Sequence, residues 1–426
     1  MRDTIFARSS GSGRAGVAVY RISGPLAGPV LDDMAAGRGE PRRARLVRLS
    51  LADGSLLDEG LILWFPAPNS FTGEDVAELH LHGSPAVERA LTNALVERGL
   101  VPAAAGAFTL RAFEAGRLDL SEAEGLADLL EAETEAQRRQ ALGQLGGGLS
   151  ARAGRWRSLA LQALASIEAV VDFPDEDDVP DTLGASILPA IDALRRDMEG
   201  ALAGAGAARA LRRGVTVVLT GPPNAGKSSL LNRLLGEPRA IVSDRPGTTR
   251  DVIEVSVALA GTLVTLIDTA GLREVEDEVE AEGIARARRA ISTADVRIEL
   301  RDASDLTAQA EESNDVIWVA NKIDRVSTVP QGWIGVSALT GDGVDALLTV
   351  LGKRFELGDA SVLTRQRHVD LVHDATVRLS RLSFDTPPEL VAEDLRRVVY
   401  RLDELVGRIA PDDVLGEIFA SFCIGK

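Results

Sequence analysis

The amino-acid sequence predicts a multidomain protein of the α+β and α/β classes: an N-terminal α+β domain, a helical domain, and a third domain with a mixed, mostly parallel sheet inserted into the helical one. Short β-branched runs punctuated by Gly, Pro and Asn fill the N-terminal part. Helical periodicity begins near Ser121 and returns after residue 366, on both sides of a strand–loop–helix alternation. A domain whose termini lie close together can be inserted in this way. The predicted boundaries are 1–117, 118–213, 214–355 and 356–426.

Strands are predicted in the N-terminal domain over residues 17–22, 44–50, 61–65 and 75–82. Alternation in the last of them places Glu78, His80 and His82 on one face, and Leu79 and Leu81 on the other. An acid and two imidazoles side by side are consistent with a polar pocket and equally with a solvated sheet face. The pattern alone does not choose between the two interpretations.

The helical domain is predicted from the change to a period of about 3.6 residues. Helices are expected over 121–144, 149–171, 186–212 and 366–382, and an apolar stripe at helical spacing follows over 395–409. Ser121 followed by Glu124 has the form of a capping box, which predicts the start of the first helix.

A phosphate-binding loop is predicted where the chain passes from an apolar strand, 215–220, into an amphipathic helix. Gly221, Gly226, Lys227 and Ser228 fit the pattern G-x-x-x-x-G-K-[ST] in this strand–helix context. Glycines bound the turn because backbone N–H groups can surround a polyphosphate only where side chains do not intrude. We expect Lys227 to reach the β- and γ-phosphates and Ser228 to bind Mg²⁺.

The base specificity is predicted by Asn321, Lys322 and Asp324, which follow a second apolar strand over 316–320. The Asp324 carboxylate can accept hydrogen bonds from the guanine N1–H and exocyclic amine, a donor pattern that adenine lacks. Ser337 and Ala338 follow a third strand-like segment, where GTPases close over the base. The predicted nucleotide is therefore GTP.

Two switch segments are expected between these motifs. Thr249, in Arg-Pro-Gly-Thr-Thr-Arg, is predicted to coordinate Mg²⁺ through its hydroxyl. Asp268, at the end of the strand 263–267, is expected to hold a Mg²⁺-bound water, and the Gly271 N–H to contact the γ-phosphate. Loss of that phosphate would release both segments.

The catalytic apparatus differs from that of Ras-like proteins. Leu272 stands where those proteins keep the glutamine that orients the attacking water. A polar group within 273–280 must replace it, and the residues alone do not identify which one. Asn224 in the P-loop can present an amide oxygen to a monovalent cation, which would supply the charge that an arginine finger supplies elsewhere.

Composition limits the classes of partner and compartment. The formal net charge of −17 argues against a surface that grips nucleic acid by bulk electrostatics. The single cysteine, Cys423, excludes an internal disulfide, and the four histidines form no zinc pattern. No apolar run is long enough to span a membrane, and no signal peptide is evident. The expected protein is soluble and cytoplasmic.

Longer motifs resemble a known family. The P-loop GPPNAGKSSLLN, the switches PGTTRDV and DTAGLRE, the acidic DEVE and the terminal CIGK closely resemble the MnmE family, also called TrmE, of tRNA modification GTPases. The segments FPAPNSFTGEDVAELHLHG, RAFEAGRLDLSEAEGLADLL and VDFPDED are similar to its N-terminal and helical signatures. The resemblance covers almost the whole chain.

The resemblance implies an assembly and a reaction. It implies a homodimer joined through N-terminal folate-binding domains, whose G domains dimerise across their switches with K⁺ and GTP. It implies a heterotetramer with an FAD-containing MnmG-like protein that adds an aminomethyl or carboxymethylaminomethyl group to C5 of the wobble uridine of certain tRNAs. A 5,10-methylene- or 5-formyl-tetrahydrofolate is implied as the one-carbon cofactor.

The resemblance also implies site residues. K⁺ would be held by Asn224 with Ser243, Arg245 and Thr248; Mg²⁺ by Ser228 and Thr249; and folate by Arg21, Glu78, Arg117 and Lys426. Glu280, the last residue of DEVE, would orient the hydrolytic water, with Lys227, Asn224 and Thr249 completing the catalytic set. The remaining implied GTP contacts are Ala225, Gly226, Ser229, Asp244, Pro246, Gly247, Asp268, Thr269, Ala270, Gly271, Asn321, Lys322, Asp324, Ser337, Ala338 and Leu339.

One strand and one functional alternative stand apart from this interpretation. The segment Val-Arg-Ile-Glu-Leu-Arg, 296–301, replaces the apolar strand expected there, and its alternating charge predicts an exposed edge or an altered sheet. A ribosome-assembly or signalling GTPase with helical interaction domains is the alternative function. A pure tRNA-binding module is disfavoured by the acidic charge.

Overall fold

The computed structural model describes residues 3–172, 183–236, 253–259, 262–268, 292, 294–306, 310, 316–354, 361–383, 386–409, 412–420, 422 and 425. The chain divides into two compact units. The first comprises Met1–Ala127, Leu145–Arg157 and Val399–Lys426, and the second comprises Asp128–Gln144 and Ser158–Val398. Mixed sheets and long helices confirm the predicted multidomain α+β and α/β class, whereas the four domain boundaries stay predictions.

The N-terminal part of the first unit is a six-stranded sheet with helices. Its elements are β1 Ile5–Arg8, β2 Ala15–Ser23, α1 Ala27–Met34, β3 Arg45–Ser50, β4 Leu56–Phe65, β5 Val76–Gly83, α2 Pro85–Glu97, β6 Val101–Pro102 and α3 Ala107–Glu114. The strand order is β3-β4-β5-β2-β1-β6, antiparallel except for the β1–β6 pair. The sequence patterns predicted β2 to β5, but β1 and the two-residue β6 were too short to be detected.

Alternation along β5 is as predicted. Leu79 and Leu81 are buried in the core with Tyr20 and Ile22 of β2, and residues of α1 and α2 close that core. Glu78 and His80 lie on the opposite face. The sheet therefore keeps one apolar face and presents a partly polar one.

A hydrogen-bond network fixes the loop between β4 and β5. The buried Ser23 hydroxyl lies 2.7 Å from the Thr72 hydroxyl and donates to Glu74 at 2.7 Å. Arg111 of α3 donates to the same Glu74 carboxylate at 2.8 Å. Because buried polar groups are costly unless paired, this network holds the loop in one place against the sheet.

The helical elements follow from α4 onwards. They are α4 Leu120–Glu131, α5 Glu135–Leu145, α6 Gly148–Asp172, α7 Leu183–Ala203 and α8 Ala205–Arg213, and near the C-terminus Gln366–Arg381, Pro388–Leu405 and Asp412–Ala420. No helix among the described residues combines the length and the apolar character that a membrane crossing requires.

The predicted capping box of α4 is displaced by two residues. The Asp119 carboxylate accepts from the Glu122 N–H at 2.9 Å, and the Glu122 carboxylate accepts from the Asp119 N–H at 2.8 Å. The prediction of Ser121 with Glu124 was wrong because Asp119 and Glu122 offer the same spacing two residues earlier. Ser121 instead donates to Asp119 at 2.9 Å.

The second unit contains a six-stranded α/β sheet. Its elements are β7 Val215–Thr220, α9 Lys227–Leu235, β8 Ile253–Leu259, β9 Thr262–Asp268, β10 Val296–Asp302, β11 Val316–Asn321, β12 Ile334–Gly335 and α10 Val344–Arg354. The order is β12-β11-β10-β7-β9-β8, parallel except for β8–β9. Residues of α9 and α10 pack on one face. We number the three C-terminal helices α11, α12 and α13.

The charged strand β10 lies inside the sheet, between β7 and β11, so the expectation of an exposed edge was wrong. Ile298 and Leu300 are fully buried on the α9 side. On the other side, the Thr220 hydroxyl donates to Glu299 at 2.6 Å, and Arg301 lies 3.6 Å from the same carboxylate. Pairing with neighbours allows an interior strand to carry charge on one face.

The chain passes from the helical segments into the α/β sheet and later returns to helix. These two connections, called crossings below, both contact one carboxylate. Arg212, two residues before Gly214, donates to Asp128 at 2.8 Å, and Arg365, after the sheet, donates to the same Asp128 oxygen at 2.7 Å. Asp128 is the residue with which the second unit begins, and its side chain is largely buried. The entry and exit of the inserted segment are therefore tied to a single point.

Side-chain amides of α5 reinforce this arrangement. Gln137 donates to the Arg212 carbonyl at 3.2 Å and Gln140 to the Ala208 carbonyl at 3.0 Å. Gln144 accepts from the Thr364 hydroxyl at 3.2 Å. Spacings of three and four residues place these glutamines on one helix face. A polar stripe, in place of an apolar one, thus connects α5 to both crossings.

We predict that Asp128→Ala loosens both crossings, because two arginines lose their acceptor at a largely buried position. The expected local destabilisation is about 1–3 kcal/mol, which corresponds to faster amide exchange in α5 and α11 as measured by hydrogen exchange with mass spectrometry. Asp192→Ala, which removes an exposed ion pair with Arg195 in the same unit, is the control and should leave these exchange rates unchanged. Equal protection in Asp128→Ala and the parent protein would contradict the prediction.

Candidate functional site

The P-loop runs from the end of β7 to the start of α9, and its glycines are required by close contacts with neighbouring segments. A Cβ on Gly221 would lie 2.0 Å from the Leu300 carbonyl oxygen, and one on Gly226 would lie 2.2 Å from the Asn321 side-chain nitrogen. Both glycines have positive φ. The Lys227 ammonium lies across the loop, donating to the Gly221 and Pro222 carbonyls at 3.0 Å each. The loop is therefore shaped as the motif predicts.

Asn321 connects the P-loop to the predicted guanine loop, which is the segment after β11 that contains Lys322 and Asp324. Its side-chain amide donates to the Ala225 carbonyl at 2.8 Å, and its side-chain oxygen accepts from the backbone N–H groups of Lys322 at 2.8 Å and Ala338 at 3.0 Å. The residue is 1% exposed. Three segments that are far apart in sequence, near 225, 321 and 338, thereby converge.

The carboxylate predicted to recognise the base, that of Asp324, is held by a hydrogen bond to one of its oxygens. Ser337 donates its hydroxyl to Asp324 at 2.6 Å, and the Arg325 guanidinium lies 4.0 Å from the other Asp324 oxygen. The Asp324 side chain is about a quarter exposed, so it can reach a ligand at the surface. Leu339, next to the loop, is strongly exposed. A fixed, accessible carboxylate is what recognition of the guanine N1–H and amine requires.

Lys322 and its partner Asp302 lie beside this loop. The Lys322 ammonium donates to the Asn224 carbonyl at 2.8 Å and to Asp302 at 2.7 Å. The hydrogen bond from Lys322 lowers the pKa of the Asp302 carboxyl to about 2, so the group is anionic at neutral pH. Sequence reasoning missed Asp302. The available signal was its position at the carboxyl end of a predicted strand, where ligand-side residues gather in parallel sheets.

Only some of the residues predicted to bind metal or to form the switches lie in the part of the chain that the structure describes. Ser228 and Ser229 lie in the first turn of α9, and Asp268 is the last residue of β9, paired in register with Leu219 of β7. The backbone of Asp268 thus reaches the same edge of the sheet as the P-loop. The following predicted residues lie outside the described ones: Ser243, Asp244, Arg245, Pro246, Gly247, Thr248, Thr249, Thr269, Ala270, Gly271 and Glu280.

A second candidate site lies in the first unit, on the polar face of the N-terminal sheet. Arg21 donates twice to one Glu78 oxygen, at 2.9 and 3.1 Å, and both side chains are 18% exposed. The other Glu78 oxygen lies 3.4 Å from the His80 ring nitrogen. These contacts show that the face carries a cluster of interacting polar groups, and the pocket interpretation stays a prediction.

Two aromatic rings border this cluster, and a second arginine lies beside the β4–β5 loop. The Arg21 guanidinium lies 5.5 Å from the Phe71 ring centroid and 5.9 Å from that of Phe108. Arg117 packs against Gly73, where a Cβ would lie 3.7 Å from its side chain, so both arginines contact the β4–β5 loop. Sequence reasoning missed the two phenylalanines; the Phe71 position inside the FTGED segment was the available signal. Lys426 and Cys423 lie outside the described residues.

Comparison with known proteins agrees with this geometry. The sequence profile described as the MnmE helical domain matches residues 120–423, and the profile described as the GTP-binding protein TrmE N-terminus matches residues 4–117. A protein of Methylorubrum populi is 50% identical over all of this chain and 98% of its own length, and one of Paramagnetospirillum magneticum is 48% identical over the full length of both. A Hyphomonas neptunium protein is 45% identical over all of this chain and 99% of its own.

All three relatives are named tRNA modification GTPase MnmE. The identities extend through the N-terminal, helical and nucleotide-binding segments alike, so the likeness does not rest on the widespread P-loop motif alone. The chain therefore belongs to the MnmE family of tRNA modification GTPases, which confirms both the resemblance and the GTP-hydrolase class predicted from its sequence.

Proposed function

We propose that this chain is a potassium-dependent GTPase that acts with an FAD-containing MnmG-like protein to modify C5 of the wobble uridine of certain tRNAs. The added group is an aminomethyl or carboxymethylaminomethyl group. The observation that carries the proposal is the Asn321 bridge, which joins the P-loop to the guanine loop in one site. Membership of the MnmE family supports tRNA as the substrate and favours this function over ribosome assembly or signalling.

The nucleotide site supports GTP hydrolysis. Lys227 would contact the β- and γ-phosphates, and the hydroxyls of Ser228 and Thr249 would bind Mg²⁺. In the absence of the Ras-type glutamine, Glu280 would orient the attacking water through a second water. Binding and hydrolysis of GTP would then drive the association and separation of two G domains through the switch segments that contain Thr249 and Glu280.

The donor set at Asn224 fits a monovalent cation. Its side chain offers a neutral amide oxygen at the exposed tip of the P-loop, and its backbone has φ +64°, which a glycine could also adopt. Ser243, Arg245 and Thr248 would complete the set. When bound there, K⁺ would supply positive charge next to the β- and γ-phosphates, as an arginine finger does in other GTPases.

We predict that replacing K⁺ by Na⁺ slows single-turnover GTP hydrolysis about tenfold or more, because the smaller Na⁺ ion would not fill a donor set sized for K⁺ and preorganised charge near the phosphates is lost. Affinity for GDP should stay similar. Asn224→Gly, which keeps the positive φ but removes the amide, should hydrolyse GTP slowly in both salts. Pro223→Ala, a change at the neighbouring exposed residue, should keep the potassium effect. Equal rates for the parent protein in the two salts would remove the cation from the proposal.

We predict that Asp324→Asn weakens GDP binding about 100-fold or more, because an amide cannot accept both guanine donors. Xanthosine diphosphate, whose base presents an oxygen in place of the amine, should bind the variant better than the parent protein. Fluorescence titration with both nucleotides measures the change. Asp345→Asn, at an exposed position in the first turn of α10, is the matched control. An unchanged preference for guanine would assign base recognition to another group.

The first unit supports a folate-binding role. A carboxylate such as Glu78 can accept hydrogen bonds from a pterin ring, and Arg21 holds that carboxylate in place. Phe71 and Phe108 supply flat apolar surface beside it. Arg117 and Lys426 would meet the acidic end of the molecule. A 5,10-methylene- or 5-formyl-tetrahydrofolate bound there would supply the one-carbon unit.

The assembly follows from the same proposal. The N-terminal domains would form a homodimer, and two chains with two MnmG-like subunits would form a heterotetramer in the cytoplasm. The tRNA would be bound by the complex, since a net charge of −17 gives this chain little general affinity for RNA.

We predict that tRNA from cells lacking this protein has unmodified C5 at the affected wobble uridines. Mass analysis of nucleosides from purified tRNA measures the loss, and expression of the full chain should restore the modified nucleosides. Expression of Asp324→Asn at the same level should restore them poorly, because GTP binding is impaired. Full modification in the deletion strain would show that the chain has another function.

A further inference from the structure

Lys322 has two acceptors, which belong to different loops. Its ammonium lies 2.7 Å from the Asp302 carboxylate and 2.8 Å from the Asn224 carbonyl. Asp302 ends β10, Lys322 follows β11, and Asn224 is in the P-loop that follows β7. The carboxyl ends of three adjacent parallel strands thus lie close to one ammonium group.

Asp302 is itself firmly held. It pairs in register with Asn321 across β10 and β11. One of its oxygens accepts from the Ser304 backbone N–H at 3.0 Å and from the Ser304 hydroxyl at 2.7 Å, and the other oxygen accepts from Lys322. The carboxylate is therefore fixed by its own turn before it contacts the lysine, and its position determines where the ammonium can lie.

The second acceptor lies at an unusual point of the backbone. Asn224 is one of the few residues other than glycine with positive φ among those described, at +64°. Asparagine adopts this left-handed conformation more readily than most other residues, and contacts of the neighbouring backbone help to keep it there. The hydrogen bond from Lys322 to the Asn224 carbonyl is one contact of this kind, and it orients the peptide from which the Asn224 side chain projects.

We propose that Asp302 is a positioning residue that holds the Lys322 ammonium against the Asn224 carbonyl and thereby couples the guanine loop to the potassium-binding turn of the P-loop. This inference rests on the proposed role of Asn224 in potassium binding. Without the Asp302 charge, Lys322 would have one fewer anchor, and the turn at Asn224 would be held less tightly. The apparent affinity for K⁺ should then fall even though Asp302 contacts neither the cation nor the nucleotide.

The test compares the full-length parent protein with Asp302→Asn and a matched control. Asparagine keeps the size of the side chain and an oxygen for Ser304 but loses the negative charge. Asp305→Asn removes the same charge three residues away, at an exposed position. Asp302→Glu keeps the charge at a changed distance and should recover part of any loss. Thermal melting checks that each variant is folded.

Two readouts separate the proposal from a purely structural effect. The first is the KCl concentration that gives half-maximal GTP hydrolysis at saturating GTP, which we expect to rise about fivefold or more in Asp302→Asn and less than twofold in Asp305→Asn. The second needs no potassium: hydrogen exchange at the backbone amides of residues 224–226 with GDP bound in NaCl, which we expect to accelerate in Asp302→Asn alone. Both changes together support the coupling.

Unchanged exchange at the amides of residues 224–226 would overturn the proposal, whatever happens to hydrolysis. Faster exchange with an unchanged potassium requirement would also overturn it, because Asp302 would then serve only to stabilise the loop. If the parent protein shows no potassium dependence, the cation role of Asn224 fails and the coupling to potassium is refuted with it. The exchange measurement would still show whether Asp302 positions the P-loop, so the two failures are distinguishable.

Discussion

The nucleotide site depends on the close approach of the P-loop to the loop after β11. Gly226 leaves room for the Asn321 side chain, which donates to the Ala225 carbonyl and accepts from two backbone N–H groups. Any Cβ at residue 226 would occupy that space. One buried amide therefore sets the distance between the phosphate-binding and base-binding ends of the site. Because an unpaired buried amide is costly, the arrangement has few alternatives.

A second constraint comes from the path of the chain, which leaves the helical segments, forms the α/β sheet and then returns to helix. The chain must leave the helical segments and return to them at neighbouring points, and Asp128 meets both crossings through Arg212 and Arg365. The glutamine stripe of α5 adds neutral hydrogen bonds to the same crossings. Polar contacts of this type are directional, so they fix the geometry of the connection more closely than apolar packing of similar area would.

The sequence predicted local features well and long-range partners poorly. The P-loop, β7, β11 and the alternation of β5 follow from patterns within a few residues, and each is present in the structure. The interior position of β10 could not be inferred, because Glu299 is compensated by Thr220, some 80 residues away. The capping box was misplaced because two overlapping motifs compete for one helix start. Asp302 and Phe108 become meaningful only when the fold brings them to Lys322 and Arg21.

The charge distribution indicates how an acidic chain could act in the RNA-modifying complex proposed above. Many of its arginines are paired internally: Arg21 with Glu78, Arg111 with Glu74, and Arg157 with Asp403. An arginine held this way orients a carboxylate or a loop and contributes little to a field that attracts phosphate at a distance. The positive charge at these three positions is thus committed to internal contacts. Contact with tRNA would then depend on surfaces that the assembled complex provides, which agrees with a role in which the GTP cycle controls the geometry of that complex.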